Sequence, residues 1–182
     1  MTHIQDEENG NMDFFEVVKS RGSYRGAFKD IEIPEEDIRK IIEAGICAPS
    51  AGNFQETFFI AVKDAKVRAA IADIIPSKGT KTAPLIIVVA EQHVEPMPGL
   101  TFDIEDYAAA TENILLAITA LGYAGLWADG MTRANGNAEK IKALLDIDPS
   151  LMVKTIIPVG VPEGEVKPAP KKSFKERAAI LK

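Results

Sequence analysis

The segment Arg21-Gly22-Ser23-Tyr24-Arg25 offers two guanidinium groups, a hydroxyl and a flexible backbone within five residues. In an extended segment alternate residues share a side, so Arg21, Ser23 and Arg25 point the same way. Two arginines with no carboxylate between them repel each other unless an anion sits between them. A guanidinium grips phosphate through two parallel hydrogen bonds, which makes phosphate the natural occupant. The same residues also suit an ordinary exposed basic loop. A second polar group, Pro49-Ser50-Ala51-Gly52-Asn53-Phe54-Gln55, brings a hydroxyl and amides to a turn ahead of a strand, and by itself it reads as a loop or a binding turn.

Other chemistries find less support. The histidines are His3 and His93. The alternation Glu91–His93–Glu95 could offer three metal ligands on one face, but it reads better as a polar loop after a buried strand. Cys47 ends a helical pattern with no histidine partner for a thiol nucleophile, so it reads as a small core residue. There is no phosphate-binding P-loop and no glycine triplet after a strand. Paired carboxylates could do acid–base hydrolysis, but the sequence singles out no pair.

The elements that must position these groups follow from periodicity. A chain of 182 residues with 46% hydrophobic and 26% charged content suits one soluble domain. Residues 1–11 read as a disordered leader and 12–182 as a single domain. Helices are expected over Asp13–Ser20, with Phe14, Val17 and Val18 on one face, and through Ile38, Ile41, Ile42 and Ile46 after Pro34. Further helices are expected through Val67–Ile74, Asp103–Leu121 and Ala138–Leu145. Strands are expected over Thr57–Val62, Leu85–Ala90, Tyr123–Ala128 and Lys154–Val159. The alanine-rich Asp103–Leu121 reads as a central helix buried all round. Ser173 and Glu176 are spaced as a capping box for a terminal helix. Alternating helices and strands imply a sheet covered by helices.

The lone cysteine fits a reducing cytoplasm. No apolar run is long enough for a membrane span, and the net charge of −6 argues against a nucleic-acid partner. That charge is uneven. Residues 163–182 hold six basic against three acidic residues, a net of +3, which leaves −9 for the rest. The basic end is either a solvated tail or a partner for an anion.

Five motifs occur in an order that resembles the nitroreductase family of FMN-dependent oxidoreductases. They are Arg21-x-Ser23-x-Arg25; Ala48-Pro49-Ser50 with Asn53 and Gln55; and Ala83-Pro84 entering a strand. The fourth is Asn113, Leu115 and Leu116 before Leu121-Gly122, and the fifth runs from Pro158 to Pro162 with basic residues after it. The likeness spans about residues 12 to 175. It implies an α+β, three-layer α/β/α fold with a mixed central sheet, built as an intertwined homodimer.

The resemblance further implies that Arg21, Gly22, Ser23 and Arg25 surround the ribityl phosphate and pyrimidine edge of FMN, with Lys171 and Lys172 completing the phosphate site. Pro49, Ser50, Ala51 and Asn53 would reach the flavin of the other subunit. The backbone at Asp129 and Gly130 would face the flavin ring nitrogen. A cation such as Arg25 near the pyrimidine would favour the reduced cofactor. The implied activity is ping-pong transfer from NADH or NADPH to a small acceptor such as a nitroaromatic or quinone. The alternatives are a flavin-binding or flavin-sensing protein without turnover, and a dehalogenating or flavin-modifying enzyme on the same fold. Two features depart from the family. Glu56-Thr57 stands where Pro-Trp is common, either altering packing beside the cofactor or lying on the dimer surface. The short stretch Ile75–Phe102 leaves no room for extra covering helices, which implies an open or small pocket.

Overall fold

The structure, a computed structural model, describes residues 12–181, so the expected leader lies outside the described residues. Four strands form one sheet in the order β1-β2-β4-β3: β1 (Thr57–Val62), β2 (Leu85–Gln92), β3 (Ala124–Gly125) and β4 (Leu151–Gly160). The named pairs are antiparallel, and a bridge between Ser23 and Gly125 supplies a parallel neighbour at the β3 edge. The fold is α+β.

The central strand β2 decides the layers. Its residues Leu85 to Ala90 are fully buried, and a strand turns successive side chains to opposite faces. Ile86 and Val88 pack with Ile156 and with Ile71, Ile75 and Ile141 of the helical layer formed by α3 (Ala65–Ile74) and α7 (Asn137–Leu144). Leu85, Ile87 and Val89 pack with Ile157 on the other face. There they meet Ile38 and Ile41 of α2 (Glu35–Ile46) and Ile114 and Ile118 of α5 (Asp103–Ala120). Side chains with no polar atoms thus fill both faces of one strand, which is why β2 reads as an unbroken apolar run.

Local chemistry sets the helix ends. Asp13 and Glu16 form a capping box on α1 (Phe14–Ser20), and Asp64 accepts the Lys66 and Val67 amides of α3. Ser77 and Thr80 cap α4 (Lys78–Thr82), which hydrophobic periodicity did not signal. Gly122, at φ 79°, lets the chain leave α5 in a left-handed turn. The expected Ser173–Glu176 box starts α8 (Phe174–Arg177). A short helix, α6 (Asp129–Arg133), follows β3.

Four expectations are corrected. The strand anticipated over Tyr123–Ala128 shortens to Ala124–Gly125, because only those residues pair with β4. Helix α5 is not buried all round: Ile104, Glu105 and Ala120 are exposed, and the stripe Tyr107, Thr111, Ile114 and Ile118 faces inward. Cys47 is exposed at the end of α2, because the helix ends there and its inner stripe does not continue. On α1 only Val17 of the expected apolar face is buried, whereas Phe14 and Val18 are exposed.

The sheet edge also fixes the arginine segment. Tyr24 N–H donates to the Gly125 carbonyl, and Lys29 N–H donates to that of Val161. Phe28 is buried against Gly160, where an added Cβ would lie 2.7 Å from Pro84 Cδ and 3.0 Å from Phe28 Cβ. Neither atom is the end of a flexible chain. Gly160→Ala is therefore expected to destabilise the fold by about 1–3 kcal/mol, read as a lower urea midpoint with an unchanged slope.

Candidate functional site

The arginine segment alternates as expected. Gly22 and Tyr24 are buried, Ser23 and Arg25 are exposed, and Arg21 is partly exposed. Tyr24 anchors the inner side: its hydroxyl donates to the Ala27 carbonyl at 2.8 Å and accepts the Gly164 N–H at 3.0 Å. Gly22 has no room for a side chain, since a Cβ would meet Val166 Cγ1 at 3.0 Å and the Lys167 backbone at 3.3 Å. The chain after β4 therefore runs directly beside the segment. Arg21 Nε lies 3.4 Å from the Glu112 carboxylate of α5. Arg25 Nη1 reaches only the Ser23 carbonyl at 3.4 Å and has no carboxylate partner among the described residues. The outward face is a rigidly mounted pair of cations around a hydroxyl.

The polar turn from Pro49 to Gln55 is built differently. Gly52, Asn53 and Gln55 have φ of 55°, 57° and 57°, and left-handed backbone is uncommon for residues with a side chain. Hydrogen bonds hold the strained path. Ser50 Oγ accepts the Gln55 N–H at 3.0 Å, and the Ser50 carbonyl accepts the Asn53 N–H at 3.0 Å. The Ala51 N–H donates to both oxygens of Asp106, at 3.1 and 3.0 Å. Pro49 and Asn53 are exposed, and Ser50 and Ala51 are partly so. This turn borders a shallow hollow of about 530 Å³ that also meets Phe102 and Ala109.

Asp106 belongs to a buried acidic cluster that sequence reasoning missed. Carboxylate oxygens of Glu56, Glu91 and Asp106 all lie within 4.8 Å of one another. Glu56 is 4% exposed and Glu91 fully buried. Neither Glu91 oxygen nor Glu56 Oε2 has a hydrogen-bond partner. Burial raises the Glu91 carboxyl to about 8, and Glu56 and Asp106 reinforce the shift while Lys154 opposes it. Glu56 is raised by burial first, with the Asp106 and Asp103 carboxylates adding to it. Lys154 Nζ lies 3.6 Å from Asp103, which also holds His93 Nδ1 at 3.0 Å. Of the two alternatives for Glu56, the surface position is not the one found: its side chain turns inward under the polar turn. The signal was available on α5, where Asp103 precedes Tyr107, Ala110 and Ile114 at helical spacing on the inward stripe.

The cluster connects to the third predicted position. Tyr107, edge-on to Trp127 at 6.3 Å, directs its hydroxyl to Asp129 Oδ1 at 3.4 Å. Burial, and then the Asp129 charge, raise the Tyr107 phenol. Asp129 also pairs with Arg133 at 2.6 Å, and Gly130 is exposed in the first turn of α6. Lys171 and Lys172 are exposed, and among the described residues neither has an ion-pair partner. Glu91, His93 and Glu95 do not converge: Glu91 faces the core, His93 pairs with Asp103, and Glu95 accepts the Gly99 N–H. Cys47 borders a surface hollow with Phe14, Asn113 and Leu116.

Among the described residues no hydrogen bond or ion pair joins the arginine segment to the polar turn. Each is tied to α5, one through Glu112 and the other through Asp106. Those two residues stand about 9 Å apart along the helix and a third of a turn around it.

Known proteins resemble the chain over this whole arrangement. The sequence matches the profile of the Nitroreductase family over residues 18–79 and 75–161. A protein of Methanothermobacter thermautotrophicus, provisionally named an NADH dehydrogenase/NAD(P)H nitroreductase, is 35% identical over 88% of this chain and 82% of its own length. The crystal structure of a Parabacteroides distasonis protein with the same provisional name superposes with a TM-score of 0.79 at 26% identity, covering 92% of this chain and 98% of that one. A nitroreductase-like protein of Desulfovibrio desulfuricans, solved in complex with FMN, shares the fold with a TM-score of 0.78 at 23% identity, over 93% of this chain and 98% of its own. With the profile spanning both polar segments and the sheet between them, the chain belongs to the nitroreductase family.

Proposed function

We propose that the chain is an FMN-dependent oxidoreductase that passes electrons from NADH or NADPH to a small acceptor, such as a nitroaromatic or a quinone, by a ping-pong route. The carrying observation is the outward row Arg21, Ser23 and Arg25, mounted on a buried Gly22 and Tyr24. Two guanidinium groups and a hydroxyl, with Arg25 lacking a carboxylate among the described residues, are a donor set suited to a phosphate monoester. The name of the Methanothermobacter relative and the FMN in the Desulfovibrio structure support the same reading.

FMN, when bound, supplies the two-electron chemistry that no side chain offers. The protein's own residues bind and orient. Arg21, Ser23 and Arg25 would hold the phosphate and the pyrimidine edge, fixed by a Gly22 backbone packed against Val166 and Lys167. Lys171 and Lys172 would add positive charge from the chain that passes Gly22. The Asp129–Gly130 backbone would lie against the flavin ring, with Asp129 held by Tyr107 and Arg133. Pro49, Ser50, Ala51 and Asn53 would complete the site of a second copy, because among the described residues no hydrogen bond or ion pair joins the two polar segments within one chain. Residues 12–182 would act as one unit of that homodimer in the cytoplasm, the setting suited to a lone cysteine.

Titration of the purified protein with FMN is expected to give bound-flavin absorbance, and steady-state assays to show NADH or NADPH oxidation with a quinone or nitroaromatic. Failure to take up FMN would overturn the proposal. A bound flavin that neither nicotinamide reduces would narrow it to flavin binding.

A further inference from the structure

Glu56 and Asp106 present an electrostatic problem that the proposed chemistry does not use. Both are buried, both are acidic, and a carboxylate oxygen of each lies within 4.8 Å of the other. Two carboxylates have no donor between them unless one holds a proton, and two negative charges so close in a poorly solvated site repel strongly. Asp106 is committed elsewhere, since both of its oxygens accept the Ala51 N–H. Ala51 opens the strained turn, and the far end of that turn is fixed where the Glu56 carbonyl accepts the Gln92 N–H at 2.9 Å. Glu56 thus ends the same turn whose start Asp106 holds.

We propose that Glu56 is a positioning residue: by sharing one proton with Asp106 it holds the Pro49–Gln55 turn in its left-handed path. Protonated Glu56 donates to Asp106, whose charge then draws on the Ala51 N–H without opposition. When the proton leaves, like charges face each other, Asp106 is pushed from its place and the turn loosens. The groups facing the pair are Glu91 from β2, Asp103 from α5 and Lys154 from β4, with the Thr57 hydroxyl of β1 beside Glu91. Two of these are acidic, and the one cation is shared with Asp103, so the surroundings favour keeping the proton. That the turn completes a flavin site rests on the function proposed above; that Glu56 holds the turn does not.

The test separates the two. Hydrogen exchange at the Ala51 amide, corrected for the intrinsic pH effect, reads the turn without any flavin. In the wild-type protein, protection is expected to fall at least about tenfold from acid to alkaline pH, as the shared proton is lost. Glu56→Gln keeps a donor at every pH and should hold protection level across that range. Glu91→Gln should retain the fall. A level profile in the wild type, the same fall in Glu56→Gln, or its loss in Glu91→Gln would each overturn the proposal. So would recovery of protection at high pH on adding Mn²⁺, which would make the cluster a cation site. FMN affinity provides the second readout: it should follow the Ala51 profile in the wild type and lose its pH dependence in Glu56→Gln. Arg21→Ala should weaken FMN binding and keep the wild-type profile. If Ala51 behaves as described and FMN does not bind, the flavin function fails while the positioning role stands.

Discussion

Arg21→Ala combined with Arg25→Ala is expected to weaken FMN binding at least about a hundredfold, with little loss of stability. A hydrogen bond to a charged group contributes about 1.5–3 kcal/mol, and each guanidinium can supply more than one. Among the described residues Arg25 has no carboxylate to release, so its whole interaction is available to a ligand. Arg21 is shared with Glu112, but that pair is partly exposed at 3.4 Å, with side-chain exposures of 26% and 41%. An exposed pair of this kind contributes no more than about 1 kcal/mol. The single Arg21→Ala change should accordingly cost about 1.5–3 kcal/mol of binding. Flavin fluorescence titration at two salt concentrations would read both effects. Loss of the cations should also flatten the salt dependence, because screening acts on the charges removed. Unchanged affinity in the double variant would show that the row is an ordinary basic loop.

Glu91→Gln is expected to reverse its effect on stability between acid and alkaline pH. The Glu91 carboxyl stands at about 8 in the folded protein against an ordinary 4.5, so the folded state keeps a proton that the unfolded chain releases. Its stabilising contribution is fully present below the ordinary value and is lost as pH rises through about 8. Across that window the slope approaches about 1.4 kcal/mol per pH unit for one group. Glutamine has nearly the same shape and never ionises. In acid it should bring a modest loss, about 1–3 kcal/mol, because its amide protons would lack acceptors. In alkali it should be the more stable protein. Urea unfolding at pH values on either side of the window would show the curves crossing. Parallel curves would mean that Glu91 is ionised throughout and compensated, with Lys154 the nearest cation able to do it.

These two expectations differ in how readily the sequence disclosed them. The Arg21–Arg25 row was legible because its signal is local: residue types at spacing two in an extended segment, with no carboxylate between them. The sheet was legible for a similar reason, since β2 sits between two helical layers and must be apolar on both faces. Helix α5 gave its length and inner stripe through periodicity. Its exposed positions were not legible, because small alanines suit solvent, core or a partner equally well. Cys47 was misplaced because a helical pattern cannot say where its inner stripe stops. The short β3 was overextended because apolar, β-branched and aromatic residues also occur in buried loops.

The acidic cluster lies at the opposite extreme. Glu56 precedes β1, Glu91 sits near the end of β2, and Asp106 is in the first turns of α5, so 50 residues separate the first from the last. No spacing rule links them. The antiparallel register sets Thr57 opposite Glu91, and the packing of α5 on that face brings Asp106 beneath the turn. The sequence by itself determined the layers, the cationic row and the family likeness, because each is written in near-neighbour pattern. Only the tertiary structure decided that three carboxylates share one unsolvated space, because burial and proximity across the chain are properties of packing. Whether those carboxyls carry protons, and whether the turn above them holds its shape, follows from that packing.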